Sequence, residues 1–236
     1  MLIDDTRAAA LEFVPEAVLF DMDGTMIESE AALLECWRQA AQDLSLPLED
    51  SLWLSMVGLH DSACHALLRT RLNEAQVQAL LSAMQALYDV RVDAGLPVKA
   101  GLIALLERLT AQGMPVAVVT STRRPRALYK LERAGLLPYF SWVVGGDEVA
   151  HPKPAPDIYL LAASRLEVNP ACCVVLEDSP AGVRSALAAG MTPIHIPDLV
   201  APSDEVRALG HRIVADMGQA HALLAPWLRD EAVAER

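Results

Sequence analysis

Six short apolar runs punctuate the chain, at residues 17–20, 116–120, 142–144, 173–176, 193–196 and 212–214. Their apolar positions are continuous rather than alternating, as in strands covered on both faces. Helical stripes separate most of them. Leu102, Leu105, Leu106 and Leu109 form one, closed by Gly113. Leu128, Leu131 and Ala134 form a second, closed by Gly135. Val183, Ala186, Leu187 and Ala189 form a third, closed by Gly190. A glycine just past an apolar stripe is a helix C-terminal signal. Strand–helix alternation predicts an α/β fold with a parallel sheet, helices on both faces and right-handed crossovers. Ligands of such sheets sit at the carboxyl ends of the strands, so residues that carry chemistry should fall there.

The stretch after the first strand breaks the alternation. Residues 28–94 hold no strand pattern and read as helices over 29–44, 50–57, 61–71 and 73–91, with Asp50, Gly58, Asp61 and Asn73 at plausible caps. The last of these carries Val77, Leu80, Leu81, Met84, Leu87 and Tyr88 at helical spacing. The expected organisation is therefore a core of residues 1–27 and 95–236, with 28–94 as an inserted all-helical domain. Gly95-Leu96-Pro97 is a natural return hinge. Residues 229–236 form a charged tail expected to fray.

Composition narrows the function classes. The 236 residues are 53% hydrophobic and 21% charged, which is globular, and the 5% aromatic content leaves Ala, Leu and Val to fill the interior. A formal net charge of −12 makes the chain a poor non-specific ligand for nucleic acid or a membrane surface. It does not exclude an anionic substrate, because a metal ion and a few cations can dominate one cleft. Cys36, Cys64, Cys172 and Cys173 show no CxxC spacing and are expected to be free, buried thiols of a reducing compartment. The N-terminus is acidic where a signal peptide is basic, and no run approaches the ~20 apolar residues of a membrane span. The expected setting is cytoplasmic, with a monomer as the default state.

Four polar segments then follow predicted strands. The first strand runs into Asp21-Met22-Asp23-Gly24-Thr25: two carboxylates two positions apart before a tight turn, so that one can attack while the other binds or moves a proton. A calcium loop also begins DxDG, but it needs a glutamate where Ala32 stands. The second strand leads into Thr120-Ser121-Thr122, hydroxyls able to meet a phosphate oxygen beside turn N–H groups. Arg123 and Arg124 come next, as leaving-group contacts or as surface ion pairs. After the third strand, His151-Pro152-Lys153-Pro154-Ala155-Pro156-Asp157 fixes one lysine on a stiff loop, with Asp157 expected to cap the next helix. The fourth strand leads into Glu177-Asp178-Ser179-Pro180. Acids at a buried strand end need a cation, and this oxygen donor set suits magnesium. Gly182 lets the chain pass close to them.

With these segments in place (DMDGT, VVTST, HPKPAPD and LEDSPAGVRSALAAGM), the chain resembles the haloacid dehalogenase superfamily, in the branch with a helical cap inserted after the first motif. The resemblance spans roughly residues 18–196. It implies a Rossmann-like core and a phosphoryl-transfer enzyme that uses Mg2+. By the same resemblance Asp21 would be the nucleophile forming an aspartyl-phosphate and a metal ligand. Asp23 would be the general acid/base, also binding the metal through its carbonyl. Thr120, with Ser121, would bind phosphate, and Lys153 would hold the nucleophile and the phosphoryl oxygens. Asp178, with Glu177 beside it, would complete the metal site. An acid at position 23 favours phosphoryl transfer over dehalogenation.

Three functions remain open on these grounds. A phosphatase acting on a small phosphorylated metabolite needs only water at the aspartyl-phosphate. A β-phosphoglucomutase-like enzyme would place a histidine where Leu33 stands and an arginine where Gly58-Leu59-His60-Asp61 offers none. An idle binding member would have lost a core residue, and none is lost. In the helical insert, His60, His65, Arg69 and Arg71 are candidate contacts or exposed helix residues, while Trp37, Trp53 and Met56 read as core.

Overall fold

The structure, a computed structural model, describes residues 11–56 and 61–228. The candidate cap at Gly58, the candidate contact His60 and the tail at 229–236 lie outside them. The six predicted runs form the strands, within a residue or two at the ends: β1 (Ala17–Phe20), β2 (Val116–Val119), β3 (Trp142–Val144), β4 (Cys173–Glu177), β5 (Thr192–His195) and β6 (Arg212–Ile213). All pair in parallel, in the order β3-β2-β1-β4-β5-β6. The chain moves outward from β1 to β2 and β3, then crosses back to place β4 on the other side of β1. That reversal opens a crevice at the carboxyl ends of β1 and β4.

Continuous apolar strands are required because both faces are covered. One face presents Val18, Phe20, Val116, Val118, Val174 and Leu176 to α5 (Leu102–Ala111), α6 (Arg124–Arg133) and α10 (Met217–Leu224). The other presents Ala17, Leu19, Ala117, Val119, Cys173 and Val175 to α7 (Asp157–Leu166) and α8 (Pro180–Ala188). A short α9 (Asp204–Arg207) precedes β6. The stripe leucines of α5 are fully buried. Gly113, Gly135 and Gly190 take the left-handed backbone that closes their helices, as the pattern predicts.

Between β1 and α5 the described residues form four helices, α1 (Ser29–Asp43), α2 (Asp50–Met56), α3 (Asp61–Arg69) and α4 (Glu74–Ala94). Asn73 is the expected cap: its side chain accepts from Gln76 N at 3.0 Å while Gln76 Oε1 accepts from Asn73 N at 3.1 Å. Asp50 and Asp61 instead open their helices as first residues. Asp50 is drawn away by Arg38, which donates to both carboxylate oxygens at 2.9 and 3.1 Å. Trp37 and Trp53 stack at 5.7 Å and are buried with Met56, as core residues should be. The two connections to the sheet run side by side. Ile27 bridges Val98, Glu28 N donates to Pro97 O at 2.9 Å, and Lys99 pairs with Glu28 at 2.7 Å and Asp198 at 2.6 Å.

All four cysteines are free thiols as expected, but only Cys36 and Cys173 are buried; Cys64 and Cys172 are partly exposed. No helix among the described residues is long and apolar enough to cross a membrane. The reciprocal cap of α4 supports a stability prediction. Asn73→Ala should lower the unfolding free energy by about 1 kcal/mol, with an unchanged denaturant slope, in urea titration.

Candidate active site

Each polar segment that follows a strand arrives at the crevice. Asp21 is the first residue beyond β1; it is buried, and its N–H donates to Leu176 O on β4 at 2.9 Å. Gly24 turns the chain back with φ +83°, and a Cβ there would stand 2.2 Å from Asp178 Oδ2. Only glycine lets the β1 turn pass under the β4 acids. Thr25 Oγ1 then donates to Asp178 Oδ1 at 3.0 Å, joining the two strand ends.

Lys153 is the centre of charge. Its side chain is 4% exposed, and its ammonium donates to Asp21 Oδ1 at 2.6 Å, Glu177 Oε1 at 2.7 Å and Val119 O at 3.0 Å. All three ammonium protons are used. It also sits 5.0 Å from the centre of the Tyr159 ring. Glu177 is fully buried and its oxygens are filled: Tyr159 Oη donates to Oε1 at 2.9 Å, and Ser179 N and Oγ both donate to Oε2 at 3.0 Å. A Cβ on Gly182 would fall 1.6 Å from Glu177 Oε1, so α8 reaches this place only through glycine.

Burial acts to raise the Glu177 carboxyl, but Lys153, the Ser179 N–H and Tyr159 outweigh it and hold the group below its ordinary value. Lys153 is held well above its ordinary value, its burial outweighed by Asp21 and Glu177. Asp21 behaves in the opposite way. Burial pushes it up to about 8, with Glu177 and Asp23 adding to the effect and Lys153 opposing it. Asp178 is pushed well above its usual range by burial and then by Asp21 and Glu177. One lysine therefore does not balance the acids gathered here.

Oxygen atoms of Asp21, Glu177 and Asp178 lie within 4.8 Å of one another, the only such group among the described residues. An all-oxygen, carboxylate-rich set with surplus negative charge fits a hard divalent cation such as magnesium, which would remove the repulsion that raises Asp21 and Asp178.

The neighbouring wall is built from β2. Thr120 is buried, and its hydroxyl oxygen accepts from Thr122 N at 3.1 Å, a bond that does not use its own proton. Ser121 is exposed and lines a cavity of about 250 Å3 together with Arg123, Gly146 and Lys153. Asp23 turns away from Asp21. Thr122 Oγ1 donates to its Oδ2 and Lys130 Nζ to its Oδ1, each at 2.7 Å. Burial acts to raise Asp23, but Lys130, Thr122 and Ser29 outweigh it and hold the carboxyl below its ordinary value.

A larger cavity of about 830 Å3 opens between α6 and the four inserted helices, with Thr122 and Lys130, the two partners of Asp23, in its wall. Glu30, Trp37, His65, Gln85, Tyr88 and Arg126 are among its walls. The two arginines after β2 divide. Arg123 lines this cavity, whereas Arg124 Nε donates to Val143 O at 3.1 Å and faces Glu148 at 3.8 Å. Among the insert candidates, His65 lines the cavity, while Arg69 pairs with Glu74 at 2.8 Å and Arg71 is exposed.

The expected cap at Asp157 is a correction. Pro156 already has helical backbone, so Asp157 falls inside the first turn of α7, and its side chain pairs with the exposed His151 at 2.8 Å. The strand-end motifs did not point to Tyr159, Glu30 or Lys130. For Lys130 a signal existed: it stands one residue before Leu131 of the stripe Leu128, Leu131, Ala134 and at helical spacing from Ala127 and Ala134.

Residues 15–190 match the haloacid dehalogenase-like hydrolase family. The chain is 36% identical over 192 residues to hexitol phosphatase A of Escherichia coli, covering 80% of this chain and 85% of that protein. It is 32% identical over 184 residues to fructose-1-phosphate phosphatase YqaB of the same organism, covering 76% and 95%. A solved HAD family hydrolase from Deinococcus radiodurans with bound phosphate and sodium superposes with a TM-score of 0.77 at 27% identity, over 91% of this chain and 96% of that one.

The buried triad yields a test of its own. Lys153→Met leaves Asp21 and Glu177 buried without their cation and should cost about 3–5 kcal/mol in denaturant unfolding. Tyr159→Phe removes one donor to the buried Glu177 carboxylate and should cost about 1.5–3 kcal/mol.

Proposed function

We propose, from the premise that this chain belongs to the haloacid dehalogenase-like hydrolases and is a phosphomonoester hydrolase, that it is a magnesium-dependent phosphatase of small sugar or polyol phosphates acting through an aspartyl-phosphate. The observation that carries the proposal is the joining of Asp21, Lys153 and Asp178 at the switch point, with Asp23 and the Thr120 hydroxyl beside them. The named activities of the hexitol and fructose-1-phosphate phosphatases support the substrate class.

In this reading Asp21 attacks phosphorus in line and the bond to the leaving oxygen breaks, its electron pair remaining on that oxygen. Asp23, which Lys130 and Thr122 hold ionised at rest, first takes up a proton from solvent, delivers it to that oxygen, and the alcohol departs. Asp23 then takes a proton from water, which attacks the same phosphorus, and the bond to Asp21 breaks to release phosphate. Lys153 keeps Asp21 oriented and offsets charge on the transferred group. Thr120 and Ser121 bind phosphoryl oxygens. Asp21, Asp178 and the Asp23 carbonyl would hold Mg2+, with Glu177 beside them; when bound, the ion supplies charge neutralisation at the phosphoryl oxygens.

The segment at 28–94 acts as a cap over the leaving group. Hinge movement near Glu28 and Gly95 admits substrate, and identical solution scattering with and without a phosphate analogue would count against it. Leu33 lies on the cavity wall at the place where the mutase pattern needs a histidine, which favours the phosphatase over the mutase.

The test is phosphate release from hexitol phosphates, fructose 1-phosphate, phosphoglycolate, a nucleotide and p-nitrophenyl phosphate. Turnover should require Mg2+, fall to background with chelator and disappear in Asp21→Asn. Turnover equal in that variant would sink the proposal.

A further inference from the structure

Lys130 is a lysine where the helix pattern calls for an apolar residue. It lies in α6, its side chain is 6% exposed, and its ammonium meets Asp23 Oδ1 at 2.7 Å across a separation of 107 residues. Burying an ammonium in an apolar stripe is costly unless it is paired, so the pairing with Asp23 accounts for its presence. The other Asp23 oxygen is taken by Thr122. With both oxygens held from the β2–α6 side, the carboxyl cannot rotate freely toward Asp21.

The other side of the same ammonium belongs to the inserted helices. Lys130 Nζ lies 5.1 Å from the centre of the Tyr88 ring on α4. This seat is itself anchored. Arg126 on α6 pairs with Asp89 on α4, Tyr129 Oη donates to Asp93 Oδ1 at 2.7 Å, and Arg133 donates to Asp93 O. One face of α6 therefore carries both the group that fixes Asp23 and the contacts that fix α4. Both Lys130 and Tyr88 line the cavity of about 830 Å3.

We infer that Lys130 is a positioning residue for Asp23, holding its carboxyl on the leaving-group side of the phosphoryl site, with Tyr88 as its seat. This rests on the phosphatase reading, in which Asp23 gives the leaving oxygen its proton. The reaction balance is unchanged: Lys130 donates a hydrogen bond and transfers no proton. The consequence is selective. An alkyl ester leaves as a strongly basic alkoxide unless protonated, whereas p-nitrophenolate leaves unaided.

The test compares kcat/KM, which covers the steps through phosphoryl transfer, for the fastest alkyl ester of the panel and for p-nitrophenyl phosphate. In Lys130→Met the alkyl-to-aryl ratio should fall by about 100-fold, the scale of general acid catalysis, through kcat rather than KM. Lys130→Arg should restore most of the ratio, and Tyr88→Leu should lower it in the same direction by a smaller factor. Should Lys130→Met fail to fold, the Arg and Leu variants carry the comparison. Equal losses on both esters would reduce Lys130 to a structural role and overturn the assignment. A rise in KM for the alkyl ester at unchanged kcat would also overturn it, making Lys130 a direct substrate contact. Wild type inactive on both esters would instead overturn the phosphatase reading and this assignment with it.

Discussion

A single buried ammonium organises the site. Lys153 has spent all three protons, on Asp21, Glu177 and a β2 carbonyl, so three strand ends meet at one atom. The arrangement follows from the sheet. Parallel strands bring their carboxyl ends to one edge, and the reversal between β1 and β4 brings Asp21 next to Glu177 and Asp178. Acids so placed repel one another in a poorly solvated crevice, and their charge is tolerated only against a cation. Lys153 supplies part of it, and the raised Asp21 and Asp178 mark what a metal would supply.

The four acids therefore take different tasks according to their partners rather than their chemistry. Glu177 is saturated by four donors and serves to seat Lys153. Among the described residues, the Asp178 carboxylate has Thr25 as its one side-chain hydrogen-bond partner. Asp21 is tied at one oxygen. Asp23 faces the opposite wall, against Thr122 and Lys130. Glycine at 24 and 182 makes the crowding possible, since a Cβ at either position would overlap a carboxylate.

The second organising element is α6. It covers the sheet with Ala127 and Leu131, holds Asp23 with Lys130, and meets α4 along Arg126, Tyr129 and Arg133. A helix that touches both Asp23 and α4 couples the β1 turn to the inserted helices.

Local pattern by itself determined the strands, the helical insert and the residues at the strand ends. These depend on burial of a strand or a helix face, and period and capping are written within a few residues, as at Asn73 and Gly113. The rule that ligands of such sheets sit at the carboxyl ends puts Asp21, Thr120, Lys153 and Asp178 on one edge from sequence order alone. Only the tertiary structure decided which partner each side chain meets. Lys130 sits in an apolar stripe that names no neighbour, and Asp23 reaches it because sheet order sets β1 beside β2 and α6. Arg123 and Arg124 are adjacent in sequence, yet one faces the cavity and the other Glu148, since successive residues point in different directions. Asp157 lost its expected cap to a helix that began one residue early. Periodicity reports which face is buried; what lies against that face is a property of the assembled layers.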